Sequence, residues 1–195
     1  MIIKIHITLV IFLLYNFFFG KIESLFIVYM FIVMHEISHM IIALLLNIDI
    51  EEIEVMPVGM CARYKGNITL LKELLVSMAG PISSLIFAFL YDNKIYFDIN
   101  IGIILFNMIP IYPLDGGRIL RCILKIVCGK KVGKKISTYL TNILVFLLFL
   151  ISIFIAAYYK NFFFLIMSLF IMKITKEEIK KDKIMSVINY LQIDE

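Results

Sequence analysis

Apolar positions along the chain fall into long runs separated by short polar breaks. The runs cover residues 2–19, 25–48, 70–91, 95–111, 138–155 and 162–174. About 20 consecutive apolar residues cross the ~30 Å hydrocarbon core of a bilayer as a helix, the form that satisfies every backbone hydrogen bond within its own segment. Six spans are therefore expected. A count of five stays open, because only six residues, Ala-Ala-Tyr-Tyr-Lys-Asn, separate the last two runs. Residues 49–66 follow another rule: Ile48, Ile50, Ile53 and Val55 alternate with acidic neighbours ahead of Pro57-Val58-Gly59. That pattern reads either as a small β-hairpin or as a solvated acidic loop.

Composition agrees with the runs. Sixty-two per cent of the 195 residues are hydrophobic and 17 per cent are charged, which leaves no room for a separate soluble domain of ordinary size. The net charge of +4 could suggest nucleic acid, but its distribution has another explanation. With six spans and the N-terminus in the cytosol, sixteen basic residues fall inside and only Lys21, Lys94 and Lys160 outside, as the positive-inside rule requires. No nucleic-acid partner is expected. Residues 2–19 are too long an apolar core for a signal peptide and lack a small-residue cleavage site. Cys61, Cys122 and Cys128 are odd in number and lack metal-site spacing, so they read as small apolar fillers. His6, alone near a membrane boundary, reads as a packing residue.

The second run contains the least probable stretch of the chain, Met-His-Glu-Ile-Ser-His-Met at residues 34–40. Each ionisable side chain at the centre of a bilayer costs about 2.5–3.5 kcal/mol on insertion scales, so three together point to function. On a helix His35 and His39 share one face about 6 Å apart and can reach one metal ion, with Glu36 beside them to handle the proton of a water. Two imidazoles leave a tetrahedral zinc short of ligands. The fourth run leads to Asn107-Met-Ile-Pro-Ile-Tyr-Pro-Leu-Asp115-Gly-Gly-Arg118, whose two prolines and glycines cannot continue a regular helix. Irregular backbone at membrane depth is tolerated only where protein or a water-filled cavity covers it. Asp115 is thus the natural third ligand, against the alternative of a turn aspartate at the membrane surface. In the six-span topology the second and fourth spans run the same way, so both halves of the site meet toward the cytosol. Ala79-Gly80-Pro81 with Ser83 and Ser84 in the third run reads as a packing surface for the histidine helix.

These three stretches together resemble the site-2 protease family of intramembrane zinc metalloproteases, over residues 1–175. The fold expected is an all-α polytopic membrane protein, with about six transmembrane helices and a small β-hairpin near the active site. The resemblance implies one zinc ion held by His35, His39 and Asp115, Glu36 as general acid/base, and Asn107 positioning the substrate or its oxyanion. The short Lys-Ile-His start, the lack of an inserted PDZ domain and the Pro-Ile-Tyr-Pro-Leu-Asp-Gly-Gly-Arg run resemble the sporulation branch of the family. That branch implies a membrane-associated substrate, a sigma-factor precursor, with inhibitory membrane-protein partners. It also implies a multi-pass protein of the bacterial cell membrane, here the one surrounding the forespore. Longer members carry a CBS domain, whereas residues 176–195 fit only a short cytosolic amphipathic tail, with Ile179, Ile184, Val187, Ile188 and Leu191 among charges. Ser83 and Ser84 stand where the family often has asparagine. Two other classes stay open: a metal or ion transporter, disfavoured by the lack of repeats and paired broken helices, and a catalytically silent scaffold.

Overall fold

Four-residue spacing selects the buried faces of the first two long helices. In a computed structural model, which describes residues 2–5, 22–56, 59–64, 68–160 and 162–191, helix α1 (Ile22–Leu45) buries Phe31, His35, His39 and Ala43. Helix α2 (Leu70–Leu90) buries Val76, Gly80, Ser84 and Ala88. Residues four apart share a helix face, so each helix presents one ridge. The ridges meet antiparallel: Phe31 approaches Phe87, His35 meets Ser84, and His39 meets Val76. Small residues on α2 let the backbones come close, as membrane helices require.

The chain turns between these helices around a small core. After Leu45, Asn47 adopts a left-handed conformation (φ 52°), and Ile48 donates from its backbone N–H to the Ala43 carbonyl at 2.9 Å. The same turn brings Ile48 into a cluster with Ala43 and Val76. Lys72 Nζ donates to the Leu46 carbonyl at 2.7 Å, satisfying one of the carbonyls a helix end leaves unpaired. Strands β2 (Ile50–Met56) and β3 (Gly59–Tyr64) pair antiparallel, and β1 (Ile2–Ile5) lies parallel to β2 with Ile3 opposite Ile53. The opening of the run at residues 2–19, expected as a span, is therefore extended at its first residues, where β-branched side chains favour a strand. Residues 6–21 lie outside the described residues.

Helix α3 (Lys94–Asn107) opens on Asn93, whose side chain accepts from the Ile95 N–H at 2.9 Å. At fourteen residues it is about 21 Å long, shorter than the span expected over residues 95–111. It ends three residues before Pro110, because proline disfavours helical backbone in the residue ahead of it.

The chain falls into two compact units, the second beginning at Ile109. There, α4 (Asp115–Cys128) and α5 (Lys130–Tyr159) are joined by Gly129 alone, at φ 83°, a conformation that favours glycine. Gly133 on α5 lies so close to the Leu124 backbone that no side chain would fit. Gly133, Ser137, Thr141, Val145, Ser152 and Ala156 make the buried stripe of α5. Helix α6 (Phe163–Leu191) packs on α5, where the hydroxyls of Ser152 and Ser168 hydrogen-bond at 2.7 Å, both buried.

The fold is mostly helical. Among the described residues, three helices are long and apolar enough to cross a membrane: Phe26–Leu45, Leu70–Leu90 and Lys130–Tyr159. Their outer faces suit a hydrocarbon solvent. Phe26, Leu45, Phe89 and Phe154 are all about 70 % exposed, an apolar surface that would be costly in water.

Candidate metal centre

His35 and His39 are buried on the α1 ridge, and each is held by its Nδ1. The His39 Nδ1 lies 2.6 Å from the Val76 carbonyl. A carbonyl oxygen only accepts, so Nδ1 carries the proton, and in a neutral imidazole Nε2 then holds the lone pair that a metal uses. The His35 Nδ1 lies 2.8 Å from Ser84 Oγ, a hydroxyl able to accept in the same way. Both Nε2 atoms turn toward one place. A methyl group on Gly80 would collide with both of them, so the glycine leaves open the space on which the two rings converge. Pro81 follows it and offers no N–H to the Ser77 carbonyl, interrupting the α2 ladder beside the site.

Asp115 is the first residue of α4, where the helix dipole favours a carboxylate. The loop before it is pinned from several sides. Tyr112 donates its N–H to Thr141 Oγ1 at 3.3 Å, and its carbonyl accepts from Thr175 Oγ1 at 3.0 Å. The buried Arg121 lays its guanidinium over the Tyr112 ring, 3.7 Å from the centroid, and its Nε donates to Ser137 Oγ at 3.2 Å. Arg118 Nε donates to the Pro113 carbonyl at 3.0 Å. The Tyr112–Pro113 peptide bond is cis. Gly117 admits no side chain, because its Cα faces the backbone of Ile111 and Tyr112.

His35 and His39 belong to the first unit, and Asp115 opens α4 in the second. Imidazole nitrogens and carboxylate oxygens are the donor types that suit catalytic zinc. The convergence of both Nε2 atoms over a glycine is the feature that fits the ion best. Glu36, adjacent to His35 on α1, is half-buried. Asn107 is the last residue of α3, and its Nδ2 donates to the Ile103 carbonyl at 3.1 Å.

Some contributors were not singled out by the sequence reading. Ser84 reads there only as part of a packing surface, yet it holds His35; its position four residues after Gly80 was the available signal. The Val76 carbonyl and Arg121 carry no motif at all.

Residues 94–151 match the sequence profile of Peptidase family M50. The chain is similar to zinc metalloprotease MJ0392 of Methanocaldococcus jannaschii, 34 % identical over 155 residues, which is 72 % of this chain and 44 % of that protein. It is also similar to stage IV sporulation protein FB of Bacillus subtilis, 25 % identical over 115 residues, 52 % of this chain and 40 % of that one. The chain thus spans less than half the length of these curated relatives. Among solved structures it is similar to a site-2 protease from Methanocaldococcus jannaschii, with a TM-score of 0.71 and 28 % identity, covering 91 % of this chain and 90 % of that one.

Proposed function

We propose that the chain is an intramembrane zinc metalloendopeptidase of the site-2 protease type, a reading supported by its match to Peptidase family M50 over residues 94–151 and by its similarity to zinc metalloprotease MJ0392 and to a solved site-2 protease. The observation that carries the reading is the pair of buried imidazoles, each held by Nδ1 and converging by Nε2 over Gly80. Members of the family are zinc-dependent, and His35, His39 and Asp115 would hold the ion. Zinc, when bound, polarises a carbonyl and makes water acidic enough to attack near neutral pH. Glu36 takes the proton from the attacking water and delivers it to the amide nitrogen as the peptide bond breaks. Asn107 donates a hydrogen bond to the substrate carbonyl, where a preorganised neutral donor stabilises developing negative charge. Val76 and Ser84 keep the two imidazoles in the orientation that the ion requires.

The substrate is membrane-associated and presents its scissile bond in an unwound or extended segment, because a helical carbonyl is already hydrogen-bonded. Similarity to stage IV sporulation protein FB supports a sporulation sigma-factor precursor as that substrate and inhibitory membrane proteins as further partners. It supports, too, a location in the membrane surrounding the forespore. The excess of basic residues in the inside segments supports a multi-pass chain with its site toward the cytosol.

Co-expression of a sigma-factor precursor with the wild-type chain and with Glu36→Gln, at matched membrane levels, tests the reading. Cleavage by the wild type alone is expected, with zinc content equal in both. Equal cleavage by both would remove Glu36 from the chemistry, and cleavage by neither would remove the precursor as substrate.

A further inference from the structure

Helix α5 has two working faces at its start. Gly133, Ser137 and Thr141 form the buried one. Lys131, Lys135, Thr138 and Asn142 follow the helical repeat on an adjacent stripe, and with Lys134, Tyr139, Leu140 and Ile179 of α6 they line a cavity of about 610 Å³. Three lysines reach this cavity, and none of the described residues lining it carries a carboxylate. Lys131 and Lys135 stand four residues apart, a spacing at which like charges repel along a helix. An anion between them relieves that repulsion.

The cavity also has an apolar wall. Ile136, Tyr139 and Leu140 line it, and they lie where the basic start of α5 gives way to its long apolar stretch. Tyr139 is 68 % exposed, in the amphipathic position that aromatic side chains take at the level of lipid headgroups. A soluble anion uses the lysines and leaves that wall bare. A phospholipid uses both, with its phosphate among the lysines and its acyl chains along the apolar side.

We propose that this cavity binds an anionic phospholipid, with Lys131, Lys134 and Lys135 on the headgroup and Tyr139 and Leu140 against the chains. The site is separate from the proposed zinc ligands and independent of the protease reading.

The test reconstitutes the full chain in nanodiscs of phosphatidylcholine and phosphatidylglycerol, releases it, and counts retained lipids by native mass spectrometry. The wild type should retain phosphatidylglycerol in preference to phosphatidylcholine. Joint replacement Lys131→Gln, Lys134→Gln and Lys135→Gln should lower that preference by roughly fivefold per lysine removed. Lys160→Gln, at the other end of α5, should leave it unchanged. Excess inorganic phosphate should not strip the lipid; if it does, the cavity is a site for free anions and the proposal fails. Equal retention by the triple variant, or equal retention of both lipids by the wild type, would overturn it as well. Should the triple variant not fold, a salt titration of wild-type retention decides, since a headgroup held by lysines must weaken as ionic strength rises. Retention indifferent to salt would then sink the idea.

Discussion

Gly80 lies against His39 so closely that a methyl group in its place would strike the imidazole. The contact gives a glycine in mid-helix a chemical purpose. Replacing an interior glycine with alanine ordinarily stabilises a helix by about 0.5–1 kcal/mol, because the unfolded chain loses less freedom on folding. Here Gly80→Ala should instead displace both histidine rings and abolish zinc retention while the helix itself survives. Zinc content of the purified variant, read beside its helical circular dichroism, checks this. Wild-type zinc with unchanged helicity would show that the rings do not converge over Gly80.

The Ser84 hydroxyl contacts His35 Nδ1 at 2.8 Å in a buried setting. Loss of such an outer hydrogen bond typically weakens metal binding 10- to 100-fold. Ser84→Ala should lower zinc affinity by about that factor, and Ser84→Asn, which keeps an acceptor there, should recover part of it. Zinc competition with a chromophoric chelator measures both. Ser83→Ala is the control, because its Oγ donates only to the Gly80 carbonyl of its own helix.

The four-residue spacing of His35 and His39 is a periodic signal, so their shared helix and face were legible. The break in the helix between Asn107 and Asp115 was legible because prolines and glycines announce irregular backbone. The Val76 contact was not, because a main-chain carbonyl carries no residue identity. Arg121 was hidden differently: one basic residue among many in a charged segment, its stacking on Tyr112 depends on a tertiary approach that no local pattern encodes. The length of α3 was overestimated because apolar content continues past Asn107, although the helix does not.

Helices α5 and α6 meet through two hydroxyls, Ser152 and Ser168, at 2.7 Å. In a membrane such a pair contributes about 0.6 kcal/mol on average and at most about 1.7, because the unfolded reference state finds other partners. A cycle of Ser152→Ala, Ser168→Ala and the double variant, followed by unfolding in mixed micelles, should therefore give a coupling below about 2 kcal/mol. A larger value would mean that the pair holds a wider network.

Arg121 offers the sharpest separation between structure and chemistry in the second unit. Its guanidinium stacks on Tyr112 and binds Ser137, and Tyr112 belongs to the loop that delivers Asp115 to the start of α4. A lysine at the same place keeps the charge but loses the planar fork and the stacking. With the stack contributing about 0.5–2 kcal/mol, Arg121→Lys should loosen the loop without unfolding α4. If Asp115 is a zinc ligand, zinc affinity should then fall by roughly 3- to 30-fold, each 1.4 kcal/mol being a factor of ten. Tyr112→Leu should cost a similar amount, and the double variant little more than either alone, because both substitutions remove the same contact. Strictly additive losses would show that Arg121 and Tyr112 act on the metal site separately. Unchanged affinity in both single variants would mean that the stack of Arg121 on Tyr112 does not position Asp115.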